Sequence, residues 1–152
     1  MVTVYKKENE YSAAFGSYFE GHVKIPGNFM VQPRTHFWGR LDVDGRLDLG
    51  SQSVIGEDVR CDSCAIGSSA WIKGTLNSVG DVLVCDNAHL QDIVSGGSVT
   101  IRSGAQVGDV TARDTITIYG KIKSGKLVGK NVKVYGKDGS VPKTANSDPK
   151  AK

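Results

Sequence analysis

The sequence predicts an all-β fold, a right-handed parallel β-helix (a solenoid) wound from coils of about 17 residues with three short strands in each. Three observations predict it: apolar columns that recur at a nearly constant interval, alternation of apolar and polar residues within each unit, and turn-forming residues gathered between the units. The pair Leu47 and Leu49 returns as Cys64 and Ile66, Val82 and Val84, Val99 and Ile101, Ile116 and Ile118, then Val132 and Val134, at intervals of 17, 18, 17, 17 and 16 residues. A second column, Val59, Leu76, Ile93, Val110 and Leu127, keeps an interval of 17 throughout. A third, Ile55, Ile72, Leu90 and Val107, runs at 17, 18 and 17.

Within each unit apolar residues alternate with polar ones, as in Val99-Thr100-Ile101 and Ile116-Thr117-Ile118, which is the period of a strand with one face buried. Gly50, Gly56, Gly67, Gly74, Gly80, Asn87, Gly96, Gly97, Gly104 and Gly108 fall between the columns, where corners need positive φ or close backbone approach. One-residue changes of interval, near Asn77–Gly80 and near Gln91 and Asp92, also fall between strands. One coil cannot bury its inward face alone, so coils must stack, about 4.8 Å apart.

The regular columns begin at Leu47. Before it Val23, Ile25, Phe29, Val31, Leu41 and Val43 suggest one or two looser coils interrupted by Pro26 and Pro33, and read as an irregular first coil or cap. The expected division is an irregular or flexible segment over 1–20, the β-helix domain over 21–136, and a disordered tail over 137–152, which has no apolar period. A chain of 152 residues with 39% hydrophobic content suits one domain. No apolar run approaches the ~18 residues of a membrane span, and the first residues lack a secretory pattern, so a cytoplasmic protein with reduced thiols is expected. Charge is uneven: Lys and Arg against Asp and Glu number 5 to 3 over residues 1–40, 3 to 9 over 41–97, and 11 to 4 over 98–152.

The passages Val99–Thr111 (VTIRSGAQVGDVT), Ile116–Gly125 (ITIYGKIKSG) and Gly39–Gly50 (GRLDVDGRLDLG) resemble the bactofilins, a family of polymer-forming cytoskeletal β-helix proteins. The likeness covers roughly residues 21–136. It implies a right-handed β-helix that assembles end to end into filaments without nucleotide or cofactor, like end meeting like end, and serves as a scaffold for other proteins, often at a membrane. The first coil departs from the family in its aromatics and prolines, and the first residues do not match the family's short apolar membrane-binding peptide.

An uncapped β-helix exposes unpaired N–H and C=O groups at each end, so the ends are the expected site. Val132, Val134 and Tyr135 are expected to form one polymer interface, and Phe29, Val31, Phe37 and Trp38 to lie near the other; the competing reading is a tail that folds back as a cap. Lys121, Lys123, Lys126, Lys130, Lys133 and Lys137 read as a solvated face or as a contact for an anionic surface. Without interleaved aromatics, nucleic acid is not an expected partner. Cys61 and Cys64, with Cys85 one coil on, have a metal-like spacing but lack a good fourth ligand, and Cys64 lies in a core column.

His22, His36 and His89 raise the left-handed β-helix enzymes, the hexapeptide acyltransferases and γ-class carbonic anhydrases. The strict aliphatic hexapeptide fails, as at Gln52–Arg60, and His36 and His89 lie three coils apart, so no catalytic, cofactor or metal site is assigned. Three functions compete: a self-assembling scaffold whose partner is itself, with other proteins as cargo; a discrete dimeric binding module, like the β-helical domain of the bacterial septum-site inhibitor; and a left-handed β-helix enzyme.

Overall fold

The computed structural model describes residues 4–7 and 10–136. The tail expected over 137–152, with Lys137, lies outside them. The described residues form a β-solenoid without helix, built from 21 short strands numbered β1 to β21 in chain order. Each turn visits three parallel sheets. On the nine-stranded face, β1 (Val4–Lys7) and β2 (Glu10–Ala13) are followed by β5 (Asn28–Val31), β8 (Arg46–Leu49), β11 (Ser63–Ile66), β14 (Val82–Val84), β17 (Val99–Ile101), β19 (Thr115–Tyr119) and β21 (Asn131–Tyr135). The five-stranded face stacks β3 (Tyr18–Phe19), β6 (His36–Phe37), β9 (Val54–Ile55), β12 (Trp71–Ile72) and β15 (His89–Leu90), and isolated bridges through Gln106 and Lys123 continue it. The seven-stranded face stacks β4 (Val23–Ile25), β7 (Leu41–Val43), β10 (Val59–Cys61), β13 (Leu76–Ser78), β16 (Ile93–Ser95), β18 (Val110–Ala112) and β20 (Leu127–Val128).

The pairing registers follow the apolar columns. Leu47 pairs with Cys64, Cys64 with Val82, Val82 with Val99, Val99 with Ile116 and Ile116 with Val132. Val59, Leu76, Ile93, Val110 and Leu127 make an unbroken ladder, as do Ile55, Ile72 and Leu90. These columns point inward and are buried up to the last turn, and the residues that alternate with them point outward, most of them polar or small but with Met30, Trp71, Leu83 and Val94 among them. A fully buried Ile, Leu or Val contributes roughly 1.5–3 kcal/mol, so stacking is what stabilises the coil.

The coil starts earlier and more regularly than the sequence reading expects. Tyr11 pairs with Phe29 and Phe29 with Leu47, so the first turns keep an interval of 18 residues and the coil begins at Glu10, within the segment expected to be irregular. Phe19 stacks on Phe37 with ring centroids 4.7 Å apart and Phe37 meets Phe29 edge-on at 6.0 Å, so aromatics fill a core that aliphatics fill further along. The one strand pair that is not parallel is β1 with β2, an antiparallel pair that covers the nine-stranded face at its N-terminal end.

The corner between the nine- and five-stranded faces repeats one conformation. Gly16, Arg34, Gln52, Ser69, Asn87 and Gly104 all have φ between 59° and 82°. Each directs its N–H to a carbonyl one coil away, as Gln52 N–H does to Ser68 O at 3.0 Å. The next residue is small and buried in every coil: Ser17, Thr35, Ser53, Ala70, Ala88 and Ala105. Gly50 serves a different purpose, since a Cβ there would fall 2.5 Å from the Pro33 nitrogen and the Val31 carbonyl oxygen. Glycine here lets two coils approach.

Gly50→Ala is expected to destabilise the protein by about 2–4 kcal/mol, because backbone rather than a movable side chain blocks the added methyl. Urea unfolding measures this; a loss below about 0.5 kcal/mol would mean that the coils can separate locally at little cost.

Candidate functional site

Burial along the inward columns changes abruptly at one place. In the column of Ala13, Val31, Leu49, Ile66, Val84, Ile101 and Ile118 no residue exceeds 5% exposure, but Val134, which pairs with Ile118, is 47% exposed. In the neighbouring column Phe29, Leu47, Cys64, Val82, Val99 and Ile116 stay at or below 2%, and Val132 is 36% exposed. Leu127 and Ile122 in the same last turn are half-buried. These side chains occupy core positions, but among the described residues no further coil covers them. Among the described residues the outer edge of β21 has no partner strand, and at five residues β21 is as long as any strand of the coil. Tyr135 stacks on Tyr119 at 5.4 Å, and Arg102 lies over the Tyr119 ring, which fixes the far end of that edge.

The N-terminal end differs. Of its first inward residues Ala13, Phe19 and Ile25 are buried while Tyr11 and Val23 are half-buried, and β1 lies along β2. Phe29, Val31 and Phe37, expected near a polymer interface, are interior side chains of the second turn, with a coil on either side. Their apolar character serves the core, so they cannot form an end contact while β2 and β3 remain in place. Trp38 is exposed, but on the flank, where its ring stacks on His36 at 4.0 Å. Of the expected interface residues the structure brings Val132, Val134 and Tyr135 together on one edge.

The five described lysines are all exposed, but they share no single face. Lys133 points outward from the nine-stranded face beside Thr117, and Lys123 from the five-stranded face beside Gln106. Lys126 precedes β20, while Lys121 and Lys130 sit at corners. All five belong to the last turn and encircle the open end. A comparison with protein-family models, curated proteins and solved structures finds no match to this chain.

Other candidates resolve into structure. Cys61 and Cys64 are buried free thiols at the corner between the seven- and nine-stranded faces; the hydrogen bond between them and burial push Cys64 well above the usual thiol range. Cys85 belongs to the opposite corner, stacked above Gly67. Among the described residues no group of three or more His, Cys, Asp or Glu could hold a metal ion. His22 accepts the Arg40 N–H at 3.0 Å, bridging one coil to the next. His89 stacks on Trp71 at 4.2 Å, and burial together with Lys73 lowers the pKa of His36. A hollow of about 30 Å³ beside Glu10, Tyr11 and Asp48 has room for a water or two but not for a substrate.

Equivalent substitutions should separate the open end from the core. Val134→Asp is expected to shift folding stability by less than about 1 kcal/mol, whereas Val84→Asp, which buries a carboxylate, should cost more than about 4 kcal/mol or prevent folding. Circular dichroism with urea unfolding, at dilutions where the chain is a monomer, distinguishes the two, and equal losses would mean that residue 134 is covered within the chain itself.

Proposed function

We propose that the protein is a self-assembling structural scaffold whose subunits join through the C-terminal end of the coil, without nucleotide or cofactor. The observation that carries this reading is the exposure of Val132 and Val134 in columns that are buried from Phe29 to Ile116 and from Ala13 to Ile118. Stacking against a second copy would do for the last turn what each coil does for the one before it: bury the inward side chains and pair the free backbone edge. A two-fold pairing of β21 with its copy would run antiparallel, each residue meeting the same surface on the partner. The resemblance to the bactofilins supports the same reading, including like end meeting like end.

One observation favours the discrete dimer instead. A filament needs two adhesive ends, and β1 places an antiparallel strand with Lys6 and Lys7 exposed across part of the N-terminal end. Charged edge residues of this kind oppose strand addition. In this second reading only the C-terminal ends join, and the assembly stops at two chains.

Negative-stain microscopy and sedimentation velocity separate these outcomes. The scaffold reading expects filaments from the purified chain, the second reading a dimer that does not grow, and a strict monomer at high concentration would contradict both. Val134→Asp should reduce the assembled species to monomer, lowering apparent affinity at least about a hundredfold if the side chain is buried at the junction. Removing residues 1–9 should convert dimers into filaments if β1 is what stops growth.

A further inference from the structure

The last turn carries charge of one sign. Residues 115–136 contain five lysines and neither Asp nor Glu. The lysines surround the exposed ends of the apolar columns instead of lying over them, which is how long cationic side chains behave beside apolar surface. The ion pairs among the described residues involve Arg40, Arg46, Arg60 and Arg102, and none of the five lysines takes part in one. Asp109, the nearest acid beneath Lys126, is occupied as a hydrogen-bond acceptor for the Lys126 backbone N–H at 2.9 Å. Beyond Gly136 the sequence adds four Lys and two Asp, so it does not offset the charge.

Pairing two such ends sets ten lysines around one junction. Strands across it would be about 4.8 Å apart, so the rings would face each other within the ~8 Å over which charges interact at physiological ionic strength. Apolar burial at the centre favours the pair while repulsion at the rim opposes it. We infer that end-to-end pairing is gated by a soluble multivalent anion, of the phosphate-polymer class, that bridges the two lysine rings. This rests on the end-to-end reading above. Monovalent salt only screens the repulsion, whereas one polyanion can contact lysines of both chains and turn it into attraction. A lipid surface fits less well: the centre of the end is a free strand edge, and a hydrocarbon interior offers no partner for its N–H and C=O groups.

The test is sedimentation of the full chain at low salt, titrated with sodium chloride or with sodium tripolyphosphate at matched ionic strength. The protein concentration for half-assembly should fall about tenfold or more with tripolyphosphate relative to chloride. The double variant Lys123→Gln/Lys133→Gln should assemble at low salt and lose most of its response to tripolyphosphate. Three results would overturn the inference: full assembly of the native chain at low salt without anion, a response that follows ionic strength and ignores valence, or binding as a monomer to phosphatidylserine-containing vesicles with no assembly in tripolyphosphate. Val134→Asp locates the fault. If it still assembles with tripolyphosphate, or if neither the native chain nor the lysine variant assembles under any condition, the end-to-end reading itself fails and the gating falls with it.

Discussion

Everything in this molecule depends on one constraint: no coil can satisfy its own backbone or bury its own inward side chains. Strands of two to five residues have few contacts within a turn, and both their hydrogen bonds and their apolar neighbours come from the turns on either side. Stability is therefore a nearest-neighbour property repeated along an axis. The same constraint makes the ends different in kind from the middle, because a terminal turn has one neighbour instead of two. At the N-terminal end the chain answers with β1 and a first turn whose Ala13, Phe19 and Ile25 are buried; at the C-terminal end the described residues supply no counterpart.

The charge gradient follows from the same stacking. Several acids of the middle region tie one coil to the next. Asp58, Asp81, Asp92 and Asp109 each accept a backbone N–H one coil on, those of Thr75, Ser98, Asp109 and Lys126, at 2.8 or 2.9 Å. Asp42, Asp44, Asp48 and Asp86 instead pair with arginines on the outer faces. An acceptor at a corner is useful only when a coil follows to donate to it. Where this ladder reaches Lys126 the side chain is a donor, and the series stops with the coil. Asparagine and serine do the same work at other corners, Asn28 for Arg46 and Ser98 for Thr115, so the residues are chosen as acceptors rather than as charges.

The inward columns were legible in the sequence because burial of alternate residues leaves a periodic trace that one-residue changes at corners do not erase. Two features left no such trace. Arg34, Gln52 and Ser69 adopt the left-handed conformation that composition would assign to glycine or asparagine, held there by hydrogen bonds to the next coil that only the stacked structure reveals. The first two turns were obscured because Phe19, Phe29 and Phe37 occupy positions that aliphatic residues fill elsewhere, and because Pro26 and Pro33 sit at corners, where a missing N–H does not interrupt a ladder. Of these, Phe29 and Phe37, expected to lie near a polymer interface, are core. By contrast, Val132 and Val134 keep the column spacing in the sequence, and among the described residues the structure places them in its last turn.

A turn at the end of a solenoid does not need a special motif to become adhesive; the residues that make an interior coil suffice once the next coil is missing. What distinguishes an adhesive end from a capped one is how its edge is treated. β1 reverses direction and carries exposed Lys6 and Lys7, which blunts the edge of the nine-stranded face. β21 keeps the direction and the apolar alternation of the coil, and its only outward charge is Lys133, with the remaining lysines set around the rim. Charge at a rim can tune when two surfaces meet without occupying the ground on which they meet. In the assembly proposed above, the lysine ring would leave the apolar centre free, so that attraction at the core and repulsion at the edge act through different residues.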